Sequence, residues 1–248
     1  MYHLILISNL KKLIILKLLN IKPLSRFTIL ISWCIFLNSQ LSAGEYKPLF
    51  PNDGIPKDWI VRAWSDVGKP GPDGAQWIVE KGVLNGGGAR GSWLISKKVY
   101  TDFELSFDFK LGPQGNSGLA LRSPSSGDPA FDGLELQMAD FRYNTRAKES
   151  ELTGGLYRAL APTKQVYKPE KWNSYLIRIK GNHIKVTLNG ELIINEDLSK
   201  QKTIIKRHNG GDAPALCDRP KSGKIGFQNL SRGGSPVLIK NAKIKTLD

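Results

Sequence analysis

Phe103-Glu104-Leu105-Ser106-Phe107-Asp108-Phe109-Lys110 is the stretch from which the fold is read. Its apolar residues fall at every second position, and Glu104, Ser106, Asp108 and Lys110 fill the positions between them. Side chains of an extended strand point alternately to its two faces, so this is a half-buried β-strand and not a helix with a 3.6-residue stripe. On either side, short β-rich runs recur between Gly, Pro, Asn and Asp: Trp59–Trp64, Gln76–Leu84, Trp93–Ser96, Gly118–Ser123, Gly133–Asp140, Gly154–Leu160, Trp172–Lys180, Ile184–Leu188, Glu191–Asn195, Lys224–Leu230 and Val237–Leu247. Asn189-Gly190 between two of these runs predicts a tight hairpin, because both residues tolerate positive φ. No long helical period appears after residue 44, and no linker or repeat divides 44–248. Many short strands with frequent turns predict one all-β domain, an antiparallel sandwich or barrel.

Composition narrows the function classes. Of the formal charge of +14, five units (Lys11, Lys12, Lys17, Lys22, Arg26) lie within residues 1–43, which hold no acidic residue. The remaining +9 is scattered over the strands without a recognised nucleic-acid motif, so no nucleic-acid partner is expected. The apolar core Phe27–Leu37 behind Arg26 is too short to span a bilayer, which takes about 20 residues. With Leu41-Ser42-Ala43 before Gly44 as a cleavage site, residues 1–43 read as a signal peptide. An uncleaved amino-terminal anchor is the alternative, and would be the chain's only contact with a membrane. Either way the domain 44–248 is expected to be exported, periplasmic or extracellular. Once the leader is removed, Cys217 is the one remaining cysteine, so stability has to come from packing and not from an internal disulfide.

The outward face of an antiparallel sandwich is where chemistry is sought. In Gly133–Asp140, Leu134, Leu136 and Met138 share one face, and Glu135, Gln137 and Ala139 share the other. In Asn116–Arg122, Leu119 and Leu121 point inward while Gly118, Ala120 and Arg122 point out. Small residues beside Arg122 and Glu135 suit a groove floor. A surface ion pair between neighbouring strands is the alternative, and would add little stability.

Gly115–Arg122, Gly133–Asp140, Thr153-Gly154-Gly155-Leu156-Tyr157-Arg158, Lys171-Trp172-Asn173, Val186–Gly190, Gly223–Gln228 and Ile239–Ile244 follow one another in an order that resembles the 3-keto-disaccharide hydrolase family. The resemblance covers roughly residues 48–247. It implies a concanavalin-like jelly roll, similar to laminarinase-type β-glucanases, and a carbohydrate partner, an oxidised di- or oligosaccharide. Fold likeness alone would not license that function. A glucanase of that architecture places carboxylates at i, i+2 and i+4 of one strand, which here are Glu135, Gln137 and Ala139. Asp140 lies about 16 Å from Glu135 along an extended strand and would face away unless the strand bends. The paired carboxyl groups of ordinary glycosidases, about 5–9.5 Å apart, are therefore not expected.

A 3-keto sugar asks less of the protein, because the ketone acidifies the hydrogen on C2. One base, a stabiliser for the enolate oxygen and an acid for the leaving group would be enough. The expected base is Glu135, with Arg122 or Arg158 at the enolate and Gln137 and Tyr157 orienting the sugar. Asn116, Asp140 and Gln228 complete the expected substrate contacts. Many members of the family carry a His soon after the Gln of the last motif, and Gln228–Gly234 has none. His208, in the irregular stretch Lys206–Pro220, is the expected substitute as proton donor. Alternatively, His208, Asp212 and Asp218 could hold a divalent metal ion, or the stretch could be a solvated turn. Trp59, Trp64, Trp77, Trp93 and Trp172 could stack on sugars, though a strand Trp is more often core. Gly86-Gly87-Gly88 reads as a turn. A non-catalytic, lectin-like domain using the same groove is the rival to the enzyme reading.

Overall fold

The computed structural model describes residues 44–233 and 235–247; the leader reading of residues 1–43 lies outside them. In chain order the strands are β1 (Lys47–Pro48), β2 (Trp59–Ala63), β3 (Asp66–Pro70), β4 (Ala75–Glu80), β5 (Val83–Gly88), β6 (Ser92–Tyr100), β7 (Phe103–Lys110) and β8 (Asn116–Ser123). They continue with β9 (Leu134–Ala139), β10 (Asn173–Lys180), β11 (His183–Leu188), β12 (Glu191–Asp197), β13 (Ile205–Lys206), β14 (Asp212–Ala213), β15 (Gly223–Asn229) and β16 (Val237–Thr246). One sheet runs β12-β11-β10-β7-β16-β5-β4, with β1 on β16, and the other runs β3-β2-β6-β15-β8-β9. Every paired ladder is antiparallel, giving a two-sheet jelly roll.

The core lies between the sheets, and the alternation in β7 places it there. Phe103, Leu105, Phe107 and Phe109 are buried, and Phe107 meets Phe227 of the second sheet edge-on at 5.3 Å. Asn189 (φ 52°) and Gly190 (φ 86°) form the expected hairpin between β11 and β12. A second hairpin was not expected. Lys81 (φ 51°) and Gly82 (φ 74°) split Gln76–Leu84 into β4 and β5. The glycine run read as a turn instead closes β5. Gly154–Leu160 is not a strand: only isolated bridges link Leu156 to Leu136 and Leu160 there, because its three buried residues, Gly154, Gly155 and Leu156, pack as a turn on β9.

The second sheet differs from the first. Every residue of β8 and β9 is buried, so its outer face is roofed over. Ala120, Trp93, Ile95 and Val67 make a small apolar layer on that outer face, with Trp64 against it. Chain between β9 and β10, and between β12 and β15, covers the rest and walls the pocket described next.

Candidate functional site

Glu135 projects from β9 onto this outer face, as the alternation predicts, and is 3% exposed. Its seat is made by a missing side chain. A Cβ on Gly118 in the neighbouring strand would fall 2.0 Å from Oε1 of Glu135 and 2.9 Å from its Cγ. Burial raises the Glu135 carboxyl well above the ordinary range, the nearby charge of Asp128 adds to the rise, and a hydrogen bond from Gln228 opposes it. Glu135 lines a cavity of about 260 Å³ together with Asn116, Gln137, Tyr157, Arg158, His208, Gln228 and Asp140. That volume is near the lower limit, roughly 300 Å³, of small-ligand pockets.

The surrounding groups are held by specific contacts. Gln137 donates to the Glu151 carbonyl at 3.3 Å and accepts from the Met138 amide at 3.2 Å. Arg158 adopts a left-handed backbone (φ 59°), and its Nε donates to Glu151 at 2.8 Å while Nη1 donates to the Lys206 carbonyl at 3.1 Å. The Tyr157 ring lies 5.4 Å from the Arg158 guanidinium, and burial pushes the phenol pKa up. Asn116 is 7% exposed, and its Oδ1 has no protein partner. His208 stands against Phe131 (5.2 Å), Tyr157 (5.8 Å) and Trp64 (5.9 Å). Burial, with Arg158 adding to it, lowers its pKa below 6.5, so the imidazole is neutral at neutral pH.

Several expected roles do not fit this geometry. Arg122 does not reach the pocket. Leu121 and Arg122 together oppose Ile225, a β-bulge with Arg122 at φ 51°, and the bulge breaks the alternation that would have aimed the side chain outward. The guanidinium instead donates to the Thr101 carbonyl at 2.8 and 3.0 Å and to Asp102 at 3.1 Å, tying β8 to the β6–β7 turn. Asp140 does reach the cavity wall, because the chain bends after Ala139, but its carboxylate is occupied by Arg142 (2.7 and 2.8 Å) and Tyr167 (3.3 Å). Burial pushes its pKa up, yet the bonds from Arg142 outweigh this and hold it below the ordinary range.

Lys206–Pro220 is not an irregular loop throughout. β13 and β14 form a miniature hairpin whose tip carries His208. Its Arg207 donates to both carboxylate oxygens of Asp132, at 3.0 and 2.5 Å. Asp212 is exposed and paired with Lys206, Asp218 is exposed in a 3-10 turn, and neither lines the cavity with His208. Among the described residues, no group of three or more His, Cys, Asp or Glu could hold a metal ion. The proposed metal set of His208, Asp212 and Asp218 is therefore not assembled. Trp59 and Trp77 are core, Trp93 is part of the outer apolar layer, Trp172 lies beside Lys110 and Lys240, and Trp64 lines the cavity.

Asp128 lines the same cavity and was not singled out from the sequence. It caps the short helix α1 (Pro129–Asp132) by accepting from the Ala130 amide at 3.0 Å. Burial raises its pKa from 3.8 to about 7. The Ala130 hydrogen bond and the charges of Arg207 and Arg219 limit that rise, and Asp132 adds to it. Asp128-Pro129 is a helix-start signal seven residues before Glu135 and could have drawn attention to it.

Fold and site together define a jelly-roll domain with a polar pocket on one sheet, floored by a buried glutamate. The chain belongs to the 3-keto-alpha-glucoside-1,2-lyase-like family, whose model matches residues 45–245. Among solved structures it is similar to three candidate glycosyl hydrolases of Parabacteroides distasonis ATCC 8503. The first is 29% identical, with a TM-score of 0.66 over 82% of this chain and 100% of the other. A second is 29% identical, with a TM-score of 0.60 over 82% and 94%. A third, 21% identical with a TM-score of 0.50 over 84% and 93%, is similar in fold. No curated protein matches the chain.

Proposed function

We propose that this pocket cleaves 3-keto-glycosides by elimination followed by hydration, and that the protein works outside the cytoplasm after export directed by residues 1–43. The observation that carries the reading is the seat of Glu135, a buried carboxyl over Gly118 at the floor of a polar cavity. Ionised Glu135 takes the proton from C2, and the electron pair moves onto the C3 oxygen as an enolate. Arg158 is the cation at that oxygen. The C1–O bond then breaks as the C1–C2 double bond forms, and the departing oxygen takes a proton from Asp128, whose pKa of about 7 suits a donor near neutral pH. Water adds across the double bond, OH to C1 and H to C2, for a net hydrolysis. Neutral His208, with Tyr157 and Gln137, orients the ring, and the free Oδ1 of Asn116 accepts from a sugar hydroxyl.

Glu135 must be ionised to act as the base and its pKa is raised, so activity should rise with pH through a range above that of a surface glutamate. The deciding experiment gives the protein and its Glu135→Gln variant ordinary and 3-oxidised disaccharides and follows products and binding. Turnover confined to the oxidised sugar and lost in the variant is expected. Full turnover by Glu135→Gln would overturn the assignment, and binding without product would favour a carbohydrate-binding domain.

A further inference from the structure

On the other side of Arg90 lies a second depression, lined by Gly86, Gly87, Gly88, Asn229, Ser231 and Arg232. Arg90 borders both. The glycine run leaves this depression without side chains on the β5 side. Asn229 braces it there, with its Nδ2 donating to the Gly87 carbonyl at 3.4 Å.

Two guanidinium groups converge here on one tyrosine. Arg90 Nε donates to the Leu230 carbonyl at 3.2 Å, and its Nη2 donates to the Tyr143 hydroxyl at 3.1 Å. Arg232 lies 4.4 Å over the Tyr143 ring, and its Nη1 donates to the Tyr143 carbonyl at 3.4 Å. Among the described residues, neither arginine forms an ion pair with a carboxylate. By contrast Arg158, which also lines the cavity, is compensated by Glu151, and the nearby Arg142 and Arg207 are compensated by Asp140 with Glu170 and by Asp132. Arg90 and Arg232 are therefore held by neutral groups, like-charged and close to each other, with donors left over. Planar guanidinium forks fixed in this way match the oxygens of a carboxylate or sulfate, and such charge-assisted bonds are the strong ones.

We propose that Arg90 and Arg232, set about Tyr143, form a subsite for an anionic group, a carboxylate or a sulfate, on the part of the substrate away from the carbon that Glu135 deprotonates. The preferred substrates are then acidic glycosides and not neutral disaccharides. This rests on the reading of the pocket as a glycoside-cleaving site, but its test does not need turnover.

The test is calorimetric titration of the protein with three unoxidised ligands: a glucosyl-glucose disaccharide, its counterpart bearing a carboxylate on the second ring, and one bearing a 6-sulfate there. At low salt the charged ligands should bind about tenfold more tightly than the neutral one. That ratio should fall as salt rises. In Arg232→Gln, and further in Arg90→Gln/Arg232→Gln, it should approach one, with thermal unfolding confirming a folded protein. Preference for only one of the two charged ligands identifies which anion the site takes. A native ratio near one, a ratio unchanged in the double variant, or no binding of either charged ligand overturns the proposal. Turnover of the 3-oxidised neutral disaccharide, measured alongside, reports on the cleavage reading by itself, so the two can fail separately.

Discussion

Replacing Asp128 by Asn tests whether the pocket holds an acid at a cost in stability. Asn keeps the cap on the Ala130 amide, so the helix start survives and the titrating proton is what changes. The Asp128 carboxyl titrates at about 7 in the folded protein against 3.8 ordinarily. Below the lower value both folded and unfolded chains carry the proton, and the group contributes nothing to pH dependence. Between the two values the unfolded chain ionises while the folded one resists, so native stability falls as pH rises; above the upper value the loss is complete. At about 1.4 kcal/mol per tenfold change in proton affinity, the interval amounts to about 4 kcal/mol. Because Asp128 is only partly buried by surface exposure, solvent screening reduces this to about 2 kcal/mol.

Urea unfolding of the native protein and Asp128→Asn, at about pH 4 and about pH 8, measures that difference. The variant should match the native protein at the lower pH and exceed it by about 2 kcal/mol at the higher. A gain of the same size at both values, or a loss at the higher, would refute the account of a carboxyl held protonated by burial. Kinetics supplies a second reading. Removing the Asp128 charge takes away part of what raises Glu135, so the acid limb of kcat/KM should move to lower pH.

Other changes have equally definite outcomes. Glu135→Gln should lower kcat on a 3-keto-disaccharide by at least about 10²-fold while leaving the fold and sugar binding in place, as product release and calorimetry would report. Gly118→Ala puts a Cβ 2.0 Å from the Glu135 carboxyl oxygen. Displacing that carboxyl should cost about 10²-fold in kcat/KM, and overpacking should cost about 1–3 kcal/mol in unfolding. Arg122→Met should destabilise by about 2 kcal/mol, because the charge-assisted bonds of the buried guanidinium to the Thr101 carbonyl and Asp102 are lost. Its kcat/KM per folded molecule should stay at the native value, which a groove role for Arg122 would not allow.

The period-two alternation in Phe103–Lys110 and in Leu134–Ala139 made the sandwich and the face of Glu135 legible from the chain alone, because strand geometry assigns each side chain to a face without reference to any partner. The same rule failed at Arg122. A bulge depends on how many residues the neighbouring strand opposes, and nothing in Asn116–Arg122 states that number. Gly118 was readable as a small residue, but only the register of β8 against β9 turned it into the space that the Glu135 side chain fills. His208 comes from a segment remote in sequence, brought to Glu135 by the β13–β14 hairpin, while Asp128, seven residues before Glu135, is turned toward it by the cap of α1. Asp212 and Asp218 share the stretch of His208 but point elsewhere, which spacing could not foretell. The sequence by itself determined most of the strands, their inward faces and the sheet face that Glu135 takes, since these follow from local periodicity. The tertiary structure alone decided which distant polar groups join that glutamate and how its proton is held, because burial and charge at a site are set by every segment that packs there.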